Sequence, residues 1–143
     1  MTPREIAVTT AWFWVDTPYH HRARVMGAGC DCLMLIVESY LAAGLLPADI
    51  EIPDYPQDIM FHSDDSRYVD TVLVYCDEVE TPQPGDLAMW KFGKTWSHAA
   101  IVLNWPRVIH AYAPYGAVVE MSIADDSRLA NRPARFFSPR GVA

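Results

Sequence analysis

The 143-residue sequence has few cysteines, few basic residues and no long apolar run. Its three cysteines, an odd number, do not suggest a framework of disulfide bonds in a chain of this size. Eleven lysines and arginines stand against eighteen aspartates and glutamates, for a formal net charge of −7. That balance argues against nucleic acid or an anionic membrane surface as a partner, because both attract basic faces.

The sequence lacks the usual features of a membrane-spanning helix, of a signal peptide and of a zinc site. No apolar run approaches the roughly 20 residues of a membrane-spanning helix. The N-terminal segment up to Asp16 has no small-residue cleavage site, so no signal peptide is expected. Cys30 and Cys32 are too close for the usual zinc-ligand spacing, and no His-x-x-x-His follows. We therefore expect neither a metal nor another cofactor.

What is present indicates one globular domain over residues 1–143. The apolar fraction is 51% and the mean hydropathy is +0.02, values typical of a water-soluble domain with a core of its own. Helical patterns come first along the chain and strand patterns follow. This order predicts an α+β fold in which helices pack on an antiparallel sheet.

Two helices are predicted near the N-terminus. Thr2 to Glu5 has the pattern of a capping box with Pro3 at the first helical position, and an apolar stripe continues to about Val15. A second stripe at helical spacing begins at Leu33 and ends near Gly44.

The remainder of the chain is predicted to be irregular at first and then mostly strands. Residues 47–65, rich in Pro, Asp and Tyr, are expected to form an irregular surface segment. Ser66–Asp77 fits either a short helix or a strand, and we favour the helix. The strands are then predicted at Leu87–Phe92, Ala99–Leu103, Val108–Tyr112, Ala117–Met121 and Arg135–Phe137.

Cys32 has the sequence context of a reactive thiol. It would lie at the start of the second helix, behind the turn Gly27-Ala28-Gly29, where unpaired N–H groups and the helix dipole lower a thiol pKa. Asp31 opposes thiolate formation by its charge, so the thiol needs a cationic or hydrogen-bonding partner. Cys76 is expected to be a small buried residue. Cys30 could pack in the same way or be oxidised.

Two of the five histidines could supply that partner. His98 and His110 are 12 positions apart in two predicted neighbouring strands, with one turn between them. A register that sets His98 opposite Tyr112 puts both histidines on one face as diagonal neighbours, about 7–8 Å apart. A slip of one residue puts them on opposite faces, so two unrelated histidines remain the alternative. The others are expected in surface, substrate-groove or solvated positions: His20, His21 and His62.

Several segments resemble, in order, the motifs of one family. The segments are Thr17-Pro18-Tyr19, Gly27 to Cys32, Pro84-Gly85-Asp86-Leu87, Ser97 to Val102, and Ile109-His110-Ala111. From about residue 5 to 121 the chain resembles the NlpC family of papain-like cell-wall cysteine peptidases, and in particular its phage and prophage tail branch. The resemblance implies a papain-like fold with the nucleophile at a helix N-terminus packed on the sheet.

The resemblance also implies roles for five residues. Cys32 would be the nucleophile, His98 the general base and acid, and His110 the group that orients His98. Tyr19 would assist oxyanion or substrate placement, or its ring would simply pack beside the helix. Asp31 would bind a substrate amine or stabilise the loop.

By the same resemblance, the substrate would be a peptidoglycan stem peptide, often cut between γ-D-glutamate and a diamino acid. The chain would be made in the cytoplasm and act in the cell wall or periplasm with phage tail proteins. Leu33-Met34 replaces the small pair that commonly follows the cysteine, so an inactive tail protein is one alternative. An amidase or acyltransferase for another small amide is a second. His20 to Arg24 replaces elements on the substrate side, which bears on specificity.

Overall fold

A computed structural model describes residues 1–53, 67–93 and 95–141. The helices are α1 (Pro3–Trp14), α2 (Cys32–Ala42), α3 (Arg67–Leu73) and α4 (Ser127–Ala130). The strands are β1 (Arg24–Val25), β2 (Gly29–Cys30), β3 (Cys76–Val79), β4 (Leu87–Phe92), β5 (Thr95–Val102), β6 (Arg107–Tyr112), β7 (Ala117–Ser122) and β8 (Ala134–Pro139). His62 and most of the predicted irregular segment lie outside the described residues.

The main sheet has six strands in the order β3-β8-β4-β5-β6-β7, each antiparallel to its neighbour. β1 and β2 form a separate two-stranded ribbon just before α2. The predicted α+β architecture, with helices before an antiparallel sheet, is confirmed. Among the described residues, no helix is both long enough and apolar enough to cross a membrane.

Alternation along β5 divides the core into two parts. Ala99 and Ile101 belong to the larger apolar cluster, which the sheet forms with α1 and α2. Ala100 and Val102 point the other way, into a smaller cluster that includes Trp90 and Leu129. Because side chains alternate between faces along a strand, His98 lies on the face of this smaller cluster.

The start of α1 follows the predicted pattern. Thr2 is the N-cap, its Oγ1 accepts a hydrogen bond from the Glu5 N–H at 3.1 Å, and Pro3 begins the helix. The helix buries Ala7 and Ala11 against the core, both 0% exposed. These small side chains allow α1 to pack closely on α2.

The segment Pro84-Gly85-Asp86 joins both helices to the sheet. Gly85 has φ +91°, and a Cβ there would lie 3.2 Å from backbone atoms of Arg4, so glycine is required. The Gly85 carbonyl accepts a hydrogen bond from the Tyr40 hydroxyl at 2.7 Å. Asp86, fully buried, pairs with Arg4 and accepts a hydrogen bond from the Ser138 hydroxyl at 2.6 Å.

Some elements differ from the sequence prediction. Ser66 of the predicted segment Ser66–Asp77 lies outside the described residues, and the rest is helix only in part, because α3 ends at Leu73 and β3 already begins at Cys76. β5 begins three residues before His98, at Thr95. The short elements β1, β2 and α4 were not predicted, since two to four residues are too few to show a period.

Candidate active site

Cys32 is the first residue of α2. The preceding residue, Asp31, is the N-cap, and its Oδ1 accepts a hydrogen bond from the Met34 N–H at 2.9 Å. The Cys32 thiol donates to the carbonyl of Ser97 at 3.6 Å, so the sulfur lies against β5 one residue before His98. The helix start thus brings a half-buried thiol to the strand that carries the histidine.

The sulfur contacts β5 where this strand separates from β6. The β5–β6 pairing includes Ile101↔Ile109 and Val102↔Val108, and among the described residues it does not continue to His98. At the paired end of the two strands, the Leu103 N–H donates a hydrogen bond to the Arg107 carbonyl at 2.9 Å. The Cys32 thiol thus meets the Ser97 carbonyl beyond the last paired residues of β5 and β6.

The two histidines meet as the sequence predicted. His98 Nε2 lies 2.8 Å from His110 Nδ1. The observed pairing of Ile101 with Ile109 belongs to the predicted register, and the contact between the two histidines shows that they share a face as predicted. Since Nε2 of His98 is hydrogen-bonded to His110, Nδ1 of His98 is the nitrogen that can accept a proton from a thiol.

Aromatic rings surround His98. Its ring centroid lies 5.6 Å from that of Trp90, 6.3 Å from Phe92 and 5.3 Å from Tyr112. Burial, and then the neighbouring His110, hold the pKa of His98 well below its usual value. Burial lowers the pKa of His110 to about 4. Both rings are therefore neutral near pH 7.

Burial dominates the electrostatics of the Cys32 thiol. Its pKa is raised to about 12, first by burial and then by the charge of Asp31. The N–H groups of Ala99 and Leu33 face the sulfur and lower the pKa, but by less than burial raises it. The N–H groups near the helix start and the charge of Asp31 thus act in the directions expected from the sequence, and the net rise comes from burial, because apolar surroundings disfavour the thiolate.

Asp31 supports the loop before the nucleophile. Its Oδ2 accepts a hydrogen bond from the Arg22 N–H at 2.7 Å, while Oδ1 caps α2. Arg22 has φ +61°, a conformation uncommon for a residue with a side chain, and the bond to Asp31 stabilises it. His21 Nδ1 lies 3.8 Å from the same carboxylate. These contacts favour the loop-structure alternative for Asp31.

Tyr19 lies beside the nucleophile turn. It forms a parallel bridge with Cys30, and its N–H donates to Gly116 at 2.8 Å. Burial raises the pKa of the half-buried Tyr19 hydroxyl, and the proximity of Cys32 raises it further. The hydroxyl is therefore a proton donor near the sulfur at any physiological pH. Cys30, fully buried and not in a disulfide, packs as expected of a small apolar residue.

Three contributors to this site were missed from the sequence: Trp90, Tyr112 and Asp126. Strand alternation could have indicated Tyr112, since it lies two residues after His110 on the same face. Asp126 carries no such signal, because it comes from a distant turn at the start of α4. Within the described ranges, no group of three or more His, Cys, Asp or Glu side chains is arranged to hold a metal ion.

A helix that begins with cysteine and packs on an antiparallel sheet carrying a histidine pair defines a papain-like fold. A family model described as the NlpC/P60 family matches residues 16–131. The chain belongs to the NlpC/P60 family. No curated protein matches the sequence.

Solved structures agree with this fold. The chain is similar to NlpC1 from Trichomonas vaginalis, with a TM-score of 0.67 at 13% identity, over 99% of this chain and 45% of that one. It is similar to the peptidoglycan hydrolase RipB from Mycobacterium tuberculosis, with a TM-score of 0.67 at 17% identity, over 95% of this chain and 64% of that one. The chain thus spans less than two thirds of either protein.

A third similar structure is RipD from Mycobacterium tuberculosis, described as a non-catalytic NlpC/p60 domain protein adapted to peptidoglycan binding. Its TM-score is 0.64 at 12% identity, over 96% of this chain and 98% of that one. The shared architecture therefore occurs both in hydrolases and in a protein that does not catalyse.

Proposed function

We propose that this chain is a cysteine peptidase that hydrolyses an amide bond in peptidoglycan stem peptides. The observation that carries the proposal is the contact of His98 Nε2 with His110 Nδ1 at 2.8 Å, with His98 on the same strand that Cys32 contacts. This arrangement leaves His98 Nδ1 to exchange a proton with the thiol. His110 orients the ring, as a third group does in other catalytic triads.

The reaction starts from a neutral thiol and a neutral imidazole. With the pKa of Cys32 raised to about 12, little thiolate is present at rest, so the proton moves to His98 as the sulfur attacks the carbonyl carbon. The thiol must first leave the Ser97 carbonyl. A C–S bond forms, and the carbonyl π electrons move onto oxygen.

The oxyanion needs hydrogen-bond donors at the start of α2. The Cys32 N–H is among the first helical N–H groups, which have no partner within the helix. The Tyr19 hydroxyl, protonated because burial raises its pKa, can supply a second donor. His98 then returns the proton to the leaving amine as the C–N bond breaks. Water hydrolyses the thioester with His98 as base.

The substrate class is supported by the family and by a similar structure. RipB is described as a peptidoglycan hydrolase. A scissile bond between γ-D-glutamate and a diamino acid is our specific proposal.

Purified peptidoglycan and defined stem peptides test this proposal directly. Under reducing conditions, we expect the wild type to release fragments whose masses identify the cleaved bond. Cys32→Ala serves as the blank for contaminating hydrolases. If folded wild-type protein leaves both substrates intact, the peptidase proposal is wrong.

A non-catalytic binding protein is the second candidate, because RipD shares the architecture and is described as non-catalytic. Met34, in place of the small residue common in the family, is buried in the core with 3% exposure. It packs in the cluster that also contains Ala7 and Ala11 of α1. Binding of peptidoglycan without cleavage, by wild type and Cys32→Ala alike, would favour this candidate.

We further propose, from the resemblance to the tail-associated branch, that the chain reaches the cell wall as part of a phage tail. Its partners would then be phage tail proteins. Mass spectrometry of purified virions should detect the chain in stoichiometric amounts. Virions that contain the neighbouring tail proteins but not this chain would contradict the proposal.

A further inference from the structure

The catalytic use of His98 imposes a proton arrangement on His110. If Nδ1 of His98 accepts the thiol proton, the neutral His98 ring carries its own proton on Nε2 and donates it to Nδ1 of His110. A neutral His110 that accepts on Nδ1 must carry its proton on Nε2. That atom is fully buried and has no hydrogen-bond partner in the described structure.

A buried N–H without an acceptor is unfavourable, so something must stabilise this arrangement. Tyr112 stacks on the His110 ring, with centroids 4.6 Å apart and planes at 16°. Behind Tyr112 lies Asp126, whose side chain is 2% exposed. Burial, and then the neighbouring Asp126 carboxylate, raise the pKa of the Tyr112 hydroxyl to about 12.

Asp126 is held as an anion by its own contacts. It accepts hydrogen bonds from the Arg128 N–H at 2.8 Å and from Arg128 Nη2 at 3.0 Å. Burial raises the pKa of Asp126, but these hydrogen bonds outweigh burial and keep the pKa below its usual value. The guanidinium carbon of Arg128 also lies 5.3 Å from the centre of the Tyr112 ring.

We propose that Asp126, held by Arg128 behind Tyr112, is a positioning residue that serves the His98–His110 pair from outside the catalytic triad. The inference rests on the proposed peptidase function. The negative charge of Asp126 favours the His110 form with the proton on Nε2. The same charge stabilises the imidazolium that forms on His98 during acylation. A neutral third member cannot supply that charge by itself.

The charges around the pair agree with this assignment. Asp126 raises the pKa of both His98 and His110, against the effect of burial. Arg128 does not cancel this effect fully, because its side chain is 54% exposed and screened by water whereas the carboxylate is buried. In the described structure, the charge of Asp126 at the start of α4 acts on both histidines, and the Tyr112 ring of β6 contacts both of their rings.

Asp126→Asn is the decisive variant, because the asparagine Oδ1 can still accept the capping hydrogen bond from the Arg128 N–H while the negative charge is lost. We expect kcat on a stem peptide to fall about tenfold, the change that corresponds to one pKa unit, with KM unchanged. The base form of His98 is the neutral ring, present above its pKa. Removing the carboxylate lowers that pKa, so the acid limb of the kcat profile should move to lower pH.

Arg128→Gln should move the acid limb the opposite way, to higher pH, because it leaves the charge of Asp126 less compensated. Asp125→Asn, an exposed neighbour with the same charge change, is the matched control and should leave kcat and the pH profile unchanged. A purely structural role would shift both Asp126→Asn and Arg128→Gln in one direction. That outcome, or an Asp126→Asn profile equal to the control, would overturn the inference.

Ring ¹⁵N chemical shifts of His110 give a readout that does not require activity. We expect the wild type to carry the proton on Nε2 and Asp126→Asn to lose part of that population. If the wild type cleaves nothing, the peptidase proposal fails while these shifts still decide whether Asp126 sets the proton position. Identical shifts in wild type and Asp126→Asn would refute the coupling.

Discussion

Cys32→Ala and His98→Gln are each expected to reduce kcat/KM for a stem peptide by at least about 10³-fold. Alanine removes the atom that forms the thioester. Glutamine keeps a polar side chain on β5 but cannot accept and return a proton. His110→Leu should lower the rate by at least about 10²-fold, because it removes only the group that orients His98 and its proton.

Cys76→Ala provides a matched cysteine control. Its thiol also donates to a backbone carbonyl, that of Val72 at 3.7 Å, and burial also raises its pKa to about 12. It is remote from the histidine pair in the fold, on the outermost strand β3, so full activity is expected once folding is verified. Steady-state cleavage followed by chromatography measures all four variants. Residual cleavage by Cys32→Ala near the wild-type level would contradict the assignment of the nucleophile.

Arg4→Met is expected to lower the free energy of unfolding by about 3 kcal/mol, because it leaves a buried carboxylate without its cation. The Asp86 side chain has 0% exposure and that of Arg4 has 31%. Arg4 also donates to Ser138 at 2.9 Å, so the pair joins α1 to β8 and to the turn before β4. Urea denaturation followed by circular dichroism measures the change.

Two further variants isolate the cause of that loss. Arg24→Met breaks the exposed pair with Glu38 and should cost less than about 1 kcal/mol. Arg4→Met combined with Asp86→Asn removes the buried charge as well, so it should be more stable than Arg4→Met alone. If the double variant is less stable than Arg4→Met, an unpaired charge is not the reason for the loss.

Local patterns predicted most of the elements near the site. The capping box at Thr2 and the apolar stripe after Cys32 act within one helix, so neighbouring residues are sufficient to identify them. The strand Leu87–Phe92 was predicted with its observed bounds. The segment around Cys76 was harder, because a short helix and a short strand follow each other within a few residues.

The shared face of His98 and His110 was also accessible from the sequence, because side chains alternate with a strict period of two along a strand. The observed pairing of Ile101 with Ile109 excludes the one-residue slip that the sequence left open. The catalytic roles of these residues stay predictions until the variants are measured.

The sequence by itself determined the order of helices and strands and the position of Cys32 at a helix start. It also determined the even separation of His98 and His110, which allows both side chains to lie on one face of the sheet. These features depend on spacing along the chain. Only the tertiary structure decided the protonation of the thiol and the placement of Asp126 behind Tyr112. Burial and charge act through space, so residues distant in sequence set the thiol and histidine pKa values, which local patterns do not encode.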